Sequence, residues 1–193
     1  NSGVTWTDRT AQPIYILEGA TVNEGSTYYT FNAAQQIYAN RYFGEKITVT
    51  GQSKVVRKIS FRVRENVTTP PNDHLYVVLQ NVTDGVDVET VKLVDKNDIT
   101  AIFEWYTADF SAPITLELGK TYRVYLKSPN SVVAKYYIPY RVEGYNPTYA
   151  AADALTYDGT NSVYTENTGA GWVENVPRYD ILFRFFSGTY ETS

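Results

Sequence analysis

The side chains best suited to bind a ligand fall in two tyrosine-rich segments. One runs from 136 to 146 and is broken by Pro139, and the other runs from 157 to Trp172 through a polar, glycine-containing stretch. A sugar ring presents an apolar C–H face that stacks on tyrosine or tryptophan, while amide, carboxylate and guanidinium groups bind its hydroxyls. We therefore predict a carbohydrate site made of Tyr137, Tyr140, Arg141, Tyr145, Asn146, Asp158, Asn161 and Trp172. The alternative is that several of these rings cover the hydrophobic core.

One turn concentrates oxygen-bearing side chains of the kind that bind calcium. Asp95, Asn97 and Asp98 lie within four consecutive residues, and carboxylate and amide oxygens are the ligands that Ca²⁺ prefers. We predict no cofactor other than a structural calcium ion held by these three residues. Aspartate and asparagine also favour turns for conformational reasons of their own, so a turn without metal is the alternative. A single histidine and the absence of cysteine argue against zinc.

The groups of a hydrolytic active site are sparse. His74, the sole histidine, follows a Pro-Pro-Asn-Asp turn, and the chain contains no Gly-X-Ser-X-Gly motif. A glycosidase needs two carboxyl groups across a cleft. One candidate, Glu104, alternates with Phe103 and Trp105, which indicates a solvent-facing acid on a strand. We predict a protein that is not an enzyme.

The length and net charge of the chain limit the number of domains and the kinds of partner that are expected. The chain has 193 residues and a net charge of −4, with 43% hydrophobic residues. These values favour a single domain spanning 1–193 with a real core. Nucleic-acid binding usually needs a basic surface, so a nucleic-acid partner is not expected. No apolar run approaches the roughly 20 residues of a membrane-spanning helix, so membrane insertion is not expected either.

The compartment is predicted to be extracellular or cell-surface. Two sequons, at Asn66 and Asn81, are glycosylation acceptors in a secreted protein. The sequence contains no cysteine and therefore no disulfide. The chain opens Asn1-Ser2-Gly3 without an initiator methionine or signal peptide, as expected of a processed protein or an excised domain.

The elements that must position these residues are strands. Apolar and polar residues alternate in segments such as 59–64, 114–118 and 178–185, and turn residues separate them. Asp84-Gly85 predicts a hairpin, and Gly119-Lys120 predicts another that joins 113–118 to 121–127. Helix is limited to a short turn within 31–39 and a second turn at 150–154. The pattern predicts an all-β sandwich of two antiparallel sheets with about ten strands and little helix.

From Tyr42 onward, the strand pattern resembles that of jelly-roll modules on extracellular enzymes and cell-surface proteins. The matching segments are 42–49, 59–64, 75–79, 114–126, 169–172 and 180–184. These modules are similar to carbohydrate-binding and galactose-binding-like domains. The resemblance implies a jelly-roll β-sandwich and a non-catalytic extracellular module that binds a polysaccharide or surface glycan.

Self-assembly is the alternative function. A sandwich with free edges can accept a strand from a neighbour, because backbone hydrogen bonds supply the affinity. Residues 1–40 are either the first strands of the sandwich or an N-terminal arm, and Pro13–Leu17 is a plausible donor strand. This interpretation predicts a structural subunit of an extracellular filament or surface layer, joined to identical subunits by strand exchange.

Overall fold

The computed structural model describes residues 16–18, 29–31, 35–49, 53–144, 161–174, 179–181 and 183–186. These residues form fourteen strands and no helix. The strands are β1 (Ile16–Glu18), β2 (Tyr29–Phe31), β3 (Arg41–Thr48), β4 (Lys54–Glu65), β5 (Leu75–Asn81), β6 (Val86–Val94), β7 (Glu104–Leu116), β8 (Thr121–Lys127), β9 (Tyr137–Pro139), β10 (Arg141–Gly144), β11 (Asn161–Thr168), β12 (Trp172–Glu174), β13 (Tyr179–Ile181) and β14 (Phe183–Phe186).

Two antiparallel sheets make up most of the fold. The first has the order β1-β14-β4-β7, with β9 also paired to β4, and the second has the order β12-β11-β3-β8-β5-β6. A small third sheet has the order β13-β10-β2. The buried side chain of Glu45 on β3 accepts the backbone N–H of Ile181 at 2.7 Å and so ties β13 to the second sheet. The predicted all-β, sandwich-like architecture is confirmed at this level.

Eight of the strands pair in a nested order. β1 pairs with β14, β3 with β8, β4 with β7, and β5 with β6, all antiparallel. β11 and β12 add to the second sheet beyond β3. The described strand closest to the N-terminus is therefore held by the described strand closest to the C-terminus.

Alternating side chains from both sheets build one core. On β8, Tyr122, Val124 and Leu126 are buried in it. On β14, Phe183 packs 5.9 Å from Phe61, measured between ring centroids. Each large apolar side chain buried in this way stabilises the fold by about 1.5–3 kcal/mol relative to exposure.

An irregularity in the pairing of β4 with β7 coincides with a change in which β4 residues reach the core. Val56 and Ile59 are both buried although they are three positions apart, which strict alternation forbids. The pairing with β7 shifts register between Val56 and Lys58, where the single residue Arg57 of β4 lies opposite residues 110–113 of β7, so the extra residues are in β7.

One of the two predicted hairpins is confirmed and the other is wrong. Gly85 has a φ of 73°, and the turn around it joins the paired strands β5 and β6. Gly119 also has a positive φ, of 80°, but β7 pairs with β4 whereas β8 pairs with β3 and β5. The turn at Gly119 therefore carries the chain from one sheet to the other.

Candidate functional site

The structure divides the eight predicted carbohydrate-binding residues. Side chains are described for Tyr137, Tyr140 and Trp172, and these three lie in different places. Arg141 in β10 and Asn161 in β11 are placed by their backbone only. The remaining three predicted residues fall outside the described part of the chain: Tyr145, Asn146 and Asp158.

Tyr137 is a core residue, and the prediction that it stacks on a sugar is wrong. Its side chain is completely buried, and its hydroxyl donates a hydrogen bond to the backbone carbonyl of Asp73. Burial, reinforced by the nearby charges of Asp73 and Asp95, raises the pKa of this phenol. No face of the ring is available to a ligand in this conformation.

Tyr140 contributes to a row of arginines and aromatic rings, which we call the cation–aromatic row. The guanidinium carbon of Arg62 lies 4.5 Å from the Tyr140 ring centroid, and Phe103 packs edge-on against Tyr140 at 5.1 Å. Arg62 alternates with the buried Phe61 and Val63, so the row lies on the outer face of the first sheet. Its members are Arg62, Arg64, Phe103, Trp105, Tyr140 and Arg184.

Trp172 belongs to a second group on the opposite outer face, that of the second sheet. We call this group the Trp172 cluster: Tyr42, Arg123, Tyr125 and Trp172. The Trp172 ring centroid lies 4.8 Å from that of Tyr125 and 6.4 Å from that of Tyr42. The guanidinium carbon of Arg123 lies 4.1 Å from the Trp172 centroid. One pyranose ring therefore cannot contact both Tyr140 and Trp172.

Two side chains of the Trp172 cluster are buried and two are partly exposed to solvent. Arg123 and Tyr125 are buried, while Tyr42 and Trp172 are half-buried. Arg123 also donates a hydrogen bond to Oε1 of Gln80 at 2.8 Å. Burial, with smaller contributions from Asp87 and Tyr42, raises the pKa of Tyr125, so its hydroxyl stays protonated at neutral pH. The cluster therefore presents two partly exposed rings, Tyr42 and Trp172, beside the guanidinium of Arg123.

Gly44 allows the strands beneath the cluster to approach closely. A Cβ atom at this position would collide with the carbonyl oxygen of Val124 and with Tyr125 on the neighbouring strand. Gly44 and Tyr125 are cross-strand partners between β3 and β8. The absence of a Cβ at Gly44 therefore leaves the space that the Val124 carbonyl and the Tyr125 Cβ occupy.

The sequence contained a signal for the cluster members that the prediction missed. Alternation over 121–127 places Tyr122, Val124 and Leu126 on the core side, which leaves Arg123 and Tyr125 facing outward. Alternation does not predict that Arg123 and Tyr125 lie close to Trp172. This proximity depends on the order of the strands in the sheet, in which β3 lies between β8 and β11.

The predicted calcium ligands form a turn closed by their own hydrogen bonds. Oδ1 of Asp95 accepts from the backbone and side-chain N–H groups of Asn97, at 3.1 and 3.2 Å. Oδ2 lies 3.5 Å from Nζ of Lys92, and the N–H of Asp98 donates to the Asp95 carbonyl. Across the described residues, no group of three or more acidic, histidine or cysteine side chains could hold a metal. The geometry favours the metal-free turn.

The two sequon asparagines are buried structural residues. Nδ2 of Asn66 donates to Oγ1 of Thr69 and to the carbonyl of Ala134, at 2.9 and 3.2 Å. Nδ2 of Asn81 donates to Asp84 at 2.8 Å, and its oxygen accepts the Asp84 N–H. A glycan attaches at Nδ2, so the folded structure disagrees with the predicted glycosylation of both residues.

The residues weighed for catalysis also have structural contacts. Oε2 of Glu104 accepts hydrogen bonds from the hydroxyls of Thr100 and Tyr106, at 3.1 Å each. Nδ1 of His74 accepts the N–H of Lys96 at 3.2 Å and lies 3.3 Å from Asp95. These contacts connect loops at one end of the sheets.

Comparison with known proteins supplies no family. No protein-family model matches the chain, and no curated protein matches it significantly. In the part of the chain that the structure describes, no helix is long and apolar enough to cross a membrane. Function is therefore inferred from the arrangement of strands and side chains.

Proposed function

We propose that this protein is a non-catalytic structural subunit that assembles with identical copies by exchanging its N-terminal strand. The observation that carries the proposal is the position of β1. It is three residues long, stands at the end of its sheet and pairs with β14. Its residue Leu17 is opposite Phe185, which is fully buried. We propose an extracellular filament or surface layer as the setting.

The β1–β14 pairing is well suited to exchange. Ladder hydrogen bonds are made by the backbone, so β1 of another copy satisfies β14 equally well. Exchange of an identical element keeps the same contacts, and its free-energy cost is therefore small. Loss of β1 without replacement would leave an unpaired edge on β14, beside the buried rings of Phe183 and Phe185.

The other edge of the first sheet is protected against strand addition. β7 contains Pro113, which cannot donate to a ladder. The carboxylate of Glu89, on β6, accepts the N–H of Ser111 on β7 at 2.7 Å. Strand addition is therefore expected at β14 rather than at β7.

We also propose that the sandwich is a jelly roll. The support is the nested pairing of eight strands, in which first pairs with last and each inner pair follows in turn. In such a fold the N-terminal strand is added at an edge, which is compatible with its exchange.

Cysteine cross-linking tests the exchange directly, because the native chain has no cysteine. Glu18 and Arg184 are directly opposite across β1 and β14, and antiparallel neighbours have Cα atoms about 4.5–5.5 Å apart, within disulfide range. We expect Glu18→Cys and Arg184→Cys, carried on separate chains, refolded together and oxidised, to give a disulfide-linked dimer on a non-reducing gel.

A matched control uses Glu18→Cys mixed with Lys92→Cys, because Lys92 lies on β6 in the other sheet. That mixture should give no disulfide-linked dimer on the non-reducing gel. The exchange is refuted if separate chains never cross-link while the double variant forms a bridge within one monomer.

The second candidate function is carbohydrate recognition by the Trp172 cluster. Its support is the pair of half-buried rings, Tyr42 and Trp172, held beside the guanidinium of Arg123. Such a platform can stack on the C–H face of a sugar and donate hydrogen bonds to its hydroxyls. We expect Trp172→Ala to weaken retention in polysaccharide-containing gels, whereas Trp105→Ala, on the opposite face, should not. Equal retention of both variants would reject this site.

A further inference from the structure

The chain passes from its N-terminal strands into the second sheet through one tight turn, at residues 38–41. The N–H of Arg41 donates to the carbonyl of Tyr38 at 2.8 Å, and the two residues form an isolated antiparallel bridge. β3 begins at Arg41, and Asn40 within the turn is exposed to solvent. The described residues before position 38 are therefore connected along the chain to β3 through this turn.

The segment before the turn pairs with strands from the C-terminal half of the chain. β1 pairs with β14, β2 pairs with β10, and Ile37 pairs with Tyr137. Ile37 is completely buried, and its N–H donates to the Tyr137 carbonyl at 2.9 Å. In the described part of the chain, neither β1 nor β2 forms a ladder with β3, the strand that follows the turn. The segment can therefore leave as one unit without separating β3 from β8 or β11.

Two features of the turn are unfavourable in this conformation. Ala39 has a φ of 45°, and among the described residues it is the one non-glycine residue with a positive φ. The Cβ of alanine disfavours this region, and turns that need a positive φ usually have glycine there. The Nε atom of Arg41 is buried without a hydrogen-bond partner in the described part of the structure. An extended backbone over 38–41 returns Ala39 to a favoured φ and releases the Arg41 side chain from its packing beside Tyr38.

We infer that residues 38–41 are the hinge of strand exchange, and that β1, β2 and Ile37 pass together from one copy to the next. The inference rests on the proposed strand exchange. The partner is a second copy, because β14, β10 and Tyr137 already hold this same segment within one chain. A short hinge under strain favours domain swapping, since the strain is present in the closed monomer and absent from the extended form.

Inclusion of Ile37 makes the exchanged segment a better anchor than β1 alone. β1 contributes three residues to a ladder, whereas Ile37 adds a fully buried side chain that belongs to the main core. Burial of an apolar side chain is favourable in either copy, so the exchanged segment keeps this contact in the neighbour's core.

Cysteine pairs on the two sides of the hinge test how much of the chain is exchanged. Thr30 is opposite Glu143 across β2 and β10. Thr30→Cys and Glu143→Cys on separate chains, refolded together and oxidised, should give a disulfide-linked dimer on a non-reducing gel. Lys46 and Val163, opposite each other across β3 and β11, lie after the hinge and provide the matched control. Lys46→Cys and Val163→Cys should bridge when one chain carries both but should not link separate chains.

Relieving the strain tests the role of the turn itself. Ala39→Gly, placed in both chains of the Glu18→Cys and Arg184→Cys mixture, should lower the fraction of cross-linked dimer about fivefold. Glycine adopts a positive φ without the penalty that alanine has, so the substitution stabilises the closed monomer. Ala101→Gly is the matched control and should leave the fraction unchanged, because Ala101 is an exposed loop residue whose φ is not positive.

The outcomes separate this inference from the proposed function. If Glu18→Cys links to Arg184→Cys between chains while Thr30→Cys bridges Glu143→Cys only within a chain, the crossover lies between β1 and β2. The inference is then overturned and strand exchange stands. An unchanged dimer fraction for Ala39→Gly would overturn the role of the strained turn. If neither pair links separate chains, the proposed function fails and the inference fails with it.

Discussion

Replacing Tyr137 by phenylalanine distinguishes a core residue from a ligand-binding one. The ring is fully buried in the main core cluster, and the substitution removes one hydroxyl and leaves the ring in place. The lost bond is the one that the hydroxyl donates to the Asp73 carbonyl. A net hydrogen bond contributes about 0.5–1.5 kcal/mol, and a buried carbonyl left unsatisfied costs about 1–3 kcal/mol. We expect Tyr137→Phe to lower the free energy of unfolding by about 1.5 kcal/mol.

Removing the ring itself should have a much larger effect. Tyr137→Ala leaves a cavity of aromatic size, and such substitutions typically cost about 3–5 kcal/mol. Domains of this size are stable by only about 5–15 kcal/mol, so the alanine variant should unfold at much lower denaturant concentration. The backbone pairing of Tyr137 with Ile37 does not depend on the side chain and should persist in the phenylalanine variant.

The assay is urea denaturation followed by intrinsic fluorescence, with retention in polysaccharide gels as the parallel readout. Tyr76→Phe is the control, because Tyr76 is a half-buried ring on the outer face of the second sheet. Substitutions at such surface positions usually change stability by no more than about 0.5 kcal/mol. The core assignment is refuted if Tyr137→Phe matches that control in stability and yet abolishes polysaccharide retention.

Two further predictions concern the backbone and one charge. Gly44→Ala should destabilise the fold by about 1–3 kcal/mol, seen as a lower melting temperature, because a Cβ meets the Val124 carbonyl. A melting temperature equal to that of the native protein would show that β3 and β8 can separate. Hydrogen bonding from the Asn97 backbone, aided by the charges of His74 and Lys92, holds the pKa of Asp95 below its usual 3.8. Its contribution to stability is therefore complete above the unfolded-state pKa and is lost as the pH falls through the folded-state pKa. A carboxyl titration by NMR at or above the usual value would contradict the turn geometry.

Local pattern was enough to predict the class of fold and much of the strand content. Alternation depends on neighbours two residues apart, so it is readable in segments such as 59–64 and 121–127. The irregular pairing of β7 opposite Arg57 was not readable from the sequence, because extra residues in one strand shift the register without changing the composition. The partners of β7 and β8 were not readable either. A glycine turn has the same sequence whether it joins paired strands or crosses between sheets.

The candidate site was harder to predict, because it depends on contacts between distant strands. Tyr137 lies in a three-residue strand whose side chains are all buried, so alternation gives no sign of which rings face solvent. Trp172 was chosen as a candidate from its polar surroundings, but its neighbours Tyr42 and Tyr125 come from strands far away in the chain. These three rings come together because the strands that carry them lie near one another in the second sheet.

The two candidate functions use different surfaces and are therefore compatible. Strand exchange uses the β14 edge of the first sheet, whereas the Trp172 cluster lies on the outer face of the second sheet. A polymer built through β14 would leave that face uncovered and repeat it along its length. Weak single-site binding to a sugar would then be strengthened by multivalency, which can raise apparent affinity about 10²–10⁴-fold without any new contact. Comparing the retention of monomer and polymer in the same polysaccharide gel would separate recognition by a single subunit from recognition by the assembly.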